Sequence, residues 1–177
     1  NIADILRTAL DNRSFESLEE YANYIYIQKD YPRWNLAFMI VKRDIYLKTF
    51  KILNSKYRII MAEDALMSFV LWNLSNKFCH ICDILYYYRQ NENSTTRSKN
   101  DEIISRNSKD RVFVIKKIKE LSKKHKFDRK ITKVFIDNLK IHEYYDRLIY
   151  HQISKRVFKI YDKYFRFKRR LRVKFGI

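Results

Sequence analysis

Glycine occurs once in this 177-residue chain, at position 176, and proline once, at position 32. Glycine supplies the left-handed backbone of tight turns and lets a main chain come close to a phosphate. With so little of it, a many-turned β-sandwich is excluded, and so are the Walker and Rossmann glycine loops. Long helices remain as the expected content. The length gives room for one domain with a real core, or for one domain plus an appendage. The chain begins at Asn1 rather than Met, so it is expected to be a cut piece of a longer protein.

The apolar spacing divides the chain. Ile2, Ile5, Leu6 and Leu10 form a short helical pattern, and Asp11-Asn12-Arg13-Ser14 reads as a turn. Ser14 or Ser17 is placed to cap a second helix that carries Leu18, Tyr21, Ile25 and Ile27, ended by Asp30-Tyr31-Pro32. A helix is expected from Arg43 to Leu53, a strand from Tyr57 to Met61, a helix from Glu63 to Asn76 and a second strand from Phe78 to Tyr88. Gln90 to Asn100 is polar and reads as a loop. Everything beyond Asp101 looks helical, with a first stripe (Ile103, Ile104, Val112, Ile115, Ile118, Leu121) broken near Asn107.

Charge is unevenly spread. Residues 1–100 carry 14 Lys and Arg against 11 Asp and Glu, net +3, whereas residues 101–177 carry 24 against 9, net +15. A basic surface of that kind meets nucleic acid, anionic lipid or a phosphate-bearing substrate. The two cysteines, Cys79 and Cys82, make no disulfide framework, and a reducing cytoplasm is the expected compartment. No apolar run approaches the roughly 20 residues that span a bilayer, and no signal peptide shows.

Glu63 and Asp64 open a helix that is apolar nearly all round, through Leu66, Met67, Phe69, Val70, Leu71, Trp72 and Leu74. Such a helix is buried, and isolated charge is costly inside. The free N–H groups and dipole of a helix N-terminus lower that cost. The arrangement suits a carboxylate kept ionised at the floor of a cleft, ready to accept a proton. The plainer account is an acidic helix cap.

Four features then fall in order. Trp34-Asn35 leads to Val41-Lys42-Arg43; Glu63-Asp64 precedes the apolar helix; a strand ends in Tyr86-Tyr87-Tyr88-Arg89; and Asn93-Ser94 follows. This order resembles the C-terminal half of bacterial family-2 glycosyltransferases of the GT-A fold, over residues of roughly 30–98. The resemblance implies a mostly α chain with a small β element, an α/β fragment of a GT-A fold, followed by a C-terminal helical bundle or extension. Residues 1–100 would form the acceptor-side part of the domain, and residues 101–177 a basic helical extension.

The resemblance also implies roles. Asp64 would be the general base that deprotonates an acceptor hydroxyl in an inverting transfer, a contribution of about 10²–10⁴-fold. Glu63 would orient the acceptor or brace the site, Trp34 would wall the acceptor pocket, and Tyr88 and Arg89 would lie beside the site, Arg89 toward a pyrophosphate or loop. The partners would be a sugar or glycolipid acceptor in surface-polysaccharide synthesis and an upstream nucleotide-sugar-binding half. That upstream half would hold the nucleotide-sugar and a divalent Mg or Mn ion. This chain has no Asp-x-Asp metal motif, has Ala62 where a glycine often precedes the acidic pair, and carries no histidine after Arg89 before His125. It is therefore expected to bind no metal or cofactor and to be inactive alone.

Other signals are weaker. Cys79 and Cys82 have zinc-knuckle-like spacing but no second pair, and core cysteines are the expected reading. His80, His125, His142 and His151 are scattered, with His142 and His151 half a turn out of phase on a helix. His80 is read as a core residue. The tail carries Arg166, Lys168, Arg169, Arg170, Arg172 and Lys174 interleaved with Phe165, Phe167, Leu171, Val173 and Phe175. Basic and aromatic residues so mixed are a membrane-surface signature, at about 1 kcal/mol per cation on an anionic leaflet. The expected location is cytoplasmic, peripheral on the inner membrane face. The alternatives are a solubilising tail, a basic helical nucleic-acid-binding module (the less favoured, with Tyr161 and Tyr164 among the cations), or a protein-interaction domain without chemistry.

Overall fold

The computed structural model describes residues 12–25, 34–53, 58–81, 100–149 and 153–175. Among them a two-stranded antiparallel ribbon pairs β1 (Arg13–Phe15) with β2 (Phe78–His80), Phe15 opposite Phe78. Between the strands the chain forms α1 (Leu18–Asn23), a 3-10 turn (Leu36–Phe38), α2 (Arg43–Leu53) and α3 (Glu63–Leu74). Three long helices follow: α4 (Asp101–His125), α5 (Arg129–Ile149) and α6 (Lys155–Phe175). No helix among the described residues is long and apolar enough to cross a membrane.

Short polar side chains start most of these elements. Ser17 Oγ accepts from the Glu20 amide at 3.1 Å, and Glu20 reaches back to the Glu16 amide at 3.0 Å. Asn35 Oδ1 accepts from the Ala37 amide, Asn100 Oδ1 from the Glu102 and Ile103 amides, and Asp128 Oδ1 from the Ile131 amide at 2.7 Å. Helix α3 differs. Ala62 precedes it in the left-handed region, φ 64° and ψ 20°, with no side-chain cap.

Helix α3 is the centre of the core. Every residue from Ala65 to Trp72 is buried. Phe69 meets Phe135 of α5 edge to face at 5.3 Å, and Trp72 meets the same ring at 5.5 Å. Val114, Ile118 and Leu121 of α4 close the other side. Each such side chain contributes about 1.5–3 kcal/mol on burial. At the ribbon end Tyr21 stacks on Phe78 at 4.4 Å. The core therefore runs unbroken from β1 to α5.

The three long helices run up and down. Ser122–Thr132 and Arg111–Asp146 join α4 and α5 in opposite chain order, which makes the pair antiparallel. Tyr144 on Tyr161 and Tyr145 on Phe158 do the same for α5 and α6.

Several expectations fail. Arg58–Ile60 form no strand, because the Ile60 and Met61 amides are taken by the Asp110 carboxylate instead of a neighbouring strand. The strand expected from Phe78 keeps only three described residues, matching the three of its partner. That partner, Arg13–Phe15, was read partly as a turn. Helix α4 continues through Asn107, which is buried. Cys79 is exposed rather than in the core, since it points to the outer face of the ribbon. The helix expected over residues 2–10, the remainder of the second strand and Cys82 lie outside the described residues.

Candidate functional site

Chain direction into α3 is set from two sides. Ala62 turns left-handed, and the two amides before it are held by Asp110 Oδ2 of α4, at 3.0 Å from Ile60 N and 3.1 Å from Met61 N. Arg111, the next residue on α4, pairs with Asp146 of α5 and donates to Met61 Sδ at 3.6 Å. The approach to the acidic pair is thus fixed by two adjacent side chains of one distant helix.

On this support Glu63 is exposed and Asp64 half-buried. Asp64 Oδ1 accepts from the Ala65 amide at 2.9 Å. Asp64 forms no ion pair with the described residues. Burial raises its pKa above the ordinary carboxylate range, and the amides of Ala65 and Asp64 itself counter that only in part. Burial also raises Glu63, against its own backbone amide and with the Asp64 and Asp110 charges adding to the effect. The sequence reading expected the helix terminus to win; burial outweighs it. A carboxylate with a raised pKa is a better proton acceptor when ionised.

Trp34 lies beside the same helix. Ser68 is fully buried and its hydroxyl donates to the Trp34 carbonyl oxygen at 2.8 Å. Ser68 stands four residues after Asp64, about 6 Å along the axis and on the same face. The half-buried Trp34 ring packs on Phe135 at 5.8 Å and edge-on to His142 at 4.9 Å. His142 is pushed down to about 4 by burial first, then by the Arg111 and Arg166 charges. A neutral imidazole therefore backs the indole.

Tyr88 and Arg89, the other two residues expected here, lie outside the described residues. A shallow dent of about 10 Å³, room for about one water and open in part to solvent, is lined by Ile104, Asn107, Ser108, Arg111, Glu143 and Asp146 with Arg147. Neither Asp64 nor Trp34 borders it, and the Glu143 carboxylate is taken by Arg147 at 2.6 Å and Ser108 at 3.4 Å. Among the described residues no three His, Cys, Asp or Glu side chains converge to hold a metal ion. His80 is ringed by Phe15, Tyr21 and Tyr24.

On α6, Arg166 bonds Asp162 at 2.7 Å and Lys168 lies over the Tyr164 ring at 5.3 Å. Arg170 and Lys174 are exposed, and the side chains of Arg169 and Arg172 are not among those described. Sequence reasoning missed Asp110, Arg111, Ser68 and His142. Ser68 had a signal, as the one hydroxyl inside an apolar helix. Asp110 had none, because its partners lie about fifty positions away. Searches against models of protein families, curated proteins and solved structures found no match for the chain.

Proposed function

We propose that this chain is the acceptor-side, base-carrying part of an inverting glycosyltransferase of the family-2, GT-A type, acting in surface-polysaccharide or glycolipid synthesis. The observation that supports the reading is Asp64: a half-buried carboxylate with a raised pKa, on the first turn of the buried helix, with Trp34 tethered one turn further on.

In this reading Asp64 takes the proton of an acceptor hydroxyl. The acceptor oxygen then bonds to the anomeric carbon, and the bond from that carbon to the nucleoside diphosphate breaks with its electron pair. The configuration inverts because attack and departure are on opposite faces. Glu63, exposed beside Asp64, orients the acceptor, and Trp34 offers an apolar edge to a sugar ring. The chemistry this reading assigns to the chain is the proton transfer.

The test is Asp64→Asn in the complete enzyme that carries this segment with its donor-binding half. Turnover is expected to fall by at least about 10² with the fold intact. Near-normal turnover removes Asp64 as the base.

A further inference from the structure

Helix α6 has two apolar faces, and α5 covers one of them. On the covered face Phe165 is 5% exposed and Tyr161 stacks on Tyr144 at 4.1 Å. The second face carries Ile160, Tyr164 and Phe167 at 61%, 50% and 62% exposure, with half-buried Leu171 continuing the stripe. Steps of four, three and four residues keep these side chains within one narrow sector at about 100° per residue. The Tyr144–Tyr161 stack and the buried Phe165 fix the helix about its own axis, so the stripe is held outward.

Charge selects what covers it. Helix α6 has ten Lys and Arg against one acid, Asp162, and that acid is engaged by Arg166. Arg156, Lys163, Arg170 and Lys174 are exposed along one flank of the stripe, and Lys168 stands on the other. A nucleic acid would need the cations at the centre of the contact, facing phosphates. Around this stripe aliphatic and aromatic groups hold the centre and cations the edges, with Lys155 and Lys159 exposed further round, the pattern of a helix lying in a lipid–water interface with its polar side toward water. Long basic side chains can reach back to headgroups while their stems follow the apolar stripe.

We infer that α6 docks in the plane of an anionic membrane surface, inserting Ile160, Tyr164, Phe167 and Leu171 between headgroups with its flanking cations on lipid phosphates and carboxylates. This does not depend on Asp64 or on any transferase reading.

The experiment floats the full chain with vesicles of equal parts phosphatidylcholine and phosphatidylserine, and with phosphatidylcholine alone. Binding to the first and not the second is expected. Ile160→Ser with Phe167→Ser, both at exposed positions, is expected to weaken binding at least about 10-fold with an unchanged circular dichroism spectrum. Phe50→Ser, on the exposed face of α2 at 52% exposure, is expected to leave binding as it was. Phe167→Trp is expected to shift its emission to the blue on the anionic vesicles. No binding to either vesicle overturns the inference, as does a double serine variant that binds like the wild type. Displacement from vesicles by a DNA duplex that the double variant still binds equally well overturns it in favour of a nucleic-acid surface.

Discussion

The Ser68 hydroxyl donates to the main-chain oxygen of Trp34 at 2.8 Å, from a position with no solvent exposure. It ties the Trp-Asn entry to the helix that carries the acidic pair, across 34 positions of sequence. Removing the hydroxyl leaves the Trp34 carbonyl without that donor at a part-buried contact. Ser68→Ala is therefore expected to cost about 1–3 kcal/mol, several times the usual surface substitution. Urea unfolding midpoints measure it. An unchanged midpoint would mean that the tether carries no stability and that Trp34 is placed by its ring contacts alone.

Ala62 holds a backbone shape that suits glycine. Its φ of 64° costs a residue with a Cβ roughly 1–2 kcal/mol. Ala62→Gly removes that cost but returns about 0.4–1 kcal/mol by loosening the unfolded chain. A net gain of roughly 0.5–1 kcal/mol is expected, seen as a higher thermal midpoint. The left-handed turn also aims the first turn of α3, so the position joins chain geometry to the candidate site. A lower midpoint in the glycine variant would show that the methyl group, 8% exposed, packs for more than its conformation costs.

The local patterns were legible where the partner was close in sequence. The helix from Arg43 to Leu53, the starts of α3 at Glu63 and α4 at Asp101, and the Ser17 cap all follow from spacing and side-chain type. The strand expected before Ala62 was not realised, since apolar and β-branched content says nothing about which acceptor the amides find. Asp110 is that acceptor, 50 positions away from Ile60. Arg13–Phe15 became a strand only because Phe78–His80 lies beside it. For the site, the acids were legible as charges at the head of an apolar helix. Their support by Asp110, Arg111 and Ser68 was not, because it is made by helices that meet only in the folded chain.

Asp64 separates a residue kept for chemistry from one kept as a cap. Burial raises its pKa, so the ionised form is worse off folded than unfolded. A raised folded-state value gives a contribution that is present at low pH and lost as pH rises through it. At neutral pH the ionised carboxylate therefore opposes folding, and Asp64→Asn is expected to raise stability while lowering turnover in the complete enzyme. A cap valued for its charge at the helix dipole predicts the reverse, a loss of about 0.3–1 kcal/mol. Denaturant midpoints of the two proteins at neutral pH decide between them.

His142 sets the acid limit of the α4–α5 region. Its ring faces Trp34 and lies near the Arg111 and Arg166 guanidiniums, which are themselves paired with Asp146 and Asp162. Burial and those two charges bring its pKa from an ordinary 6.5 to about 4. In the unfolded chain the imidazole takes a proton as pH falls through 6.5; in the folded chain it resists until about 4. The unfolded state binds more protons within that window, so stability falls with pH across it, by roughly 3 kcal/mol in all. Asp64 and Glu63 act in the opposite sense, because their values are raised. The contribution of His142 is isolated by subtracting the pH–stability curve of His142→Gln, which retains polarity without titrating. The difference between the two curves is expected to be flat above about pH 6.5 and to slope between 6.5 and 4. A difference that stays flat throughout would place the imidazole in contact with water, and would leave the edge-on Trp34 contact without the neutral ring on which its packing relies.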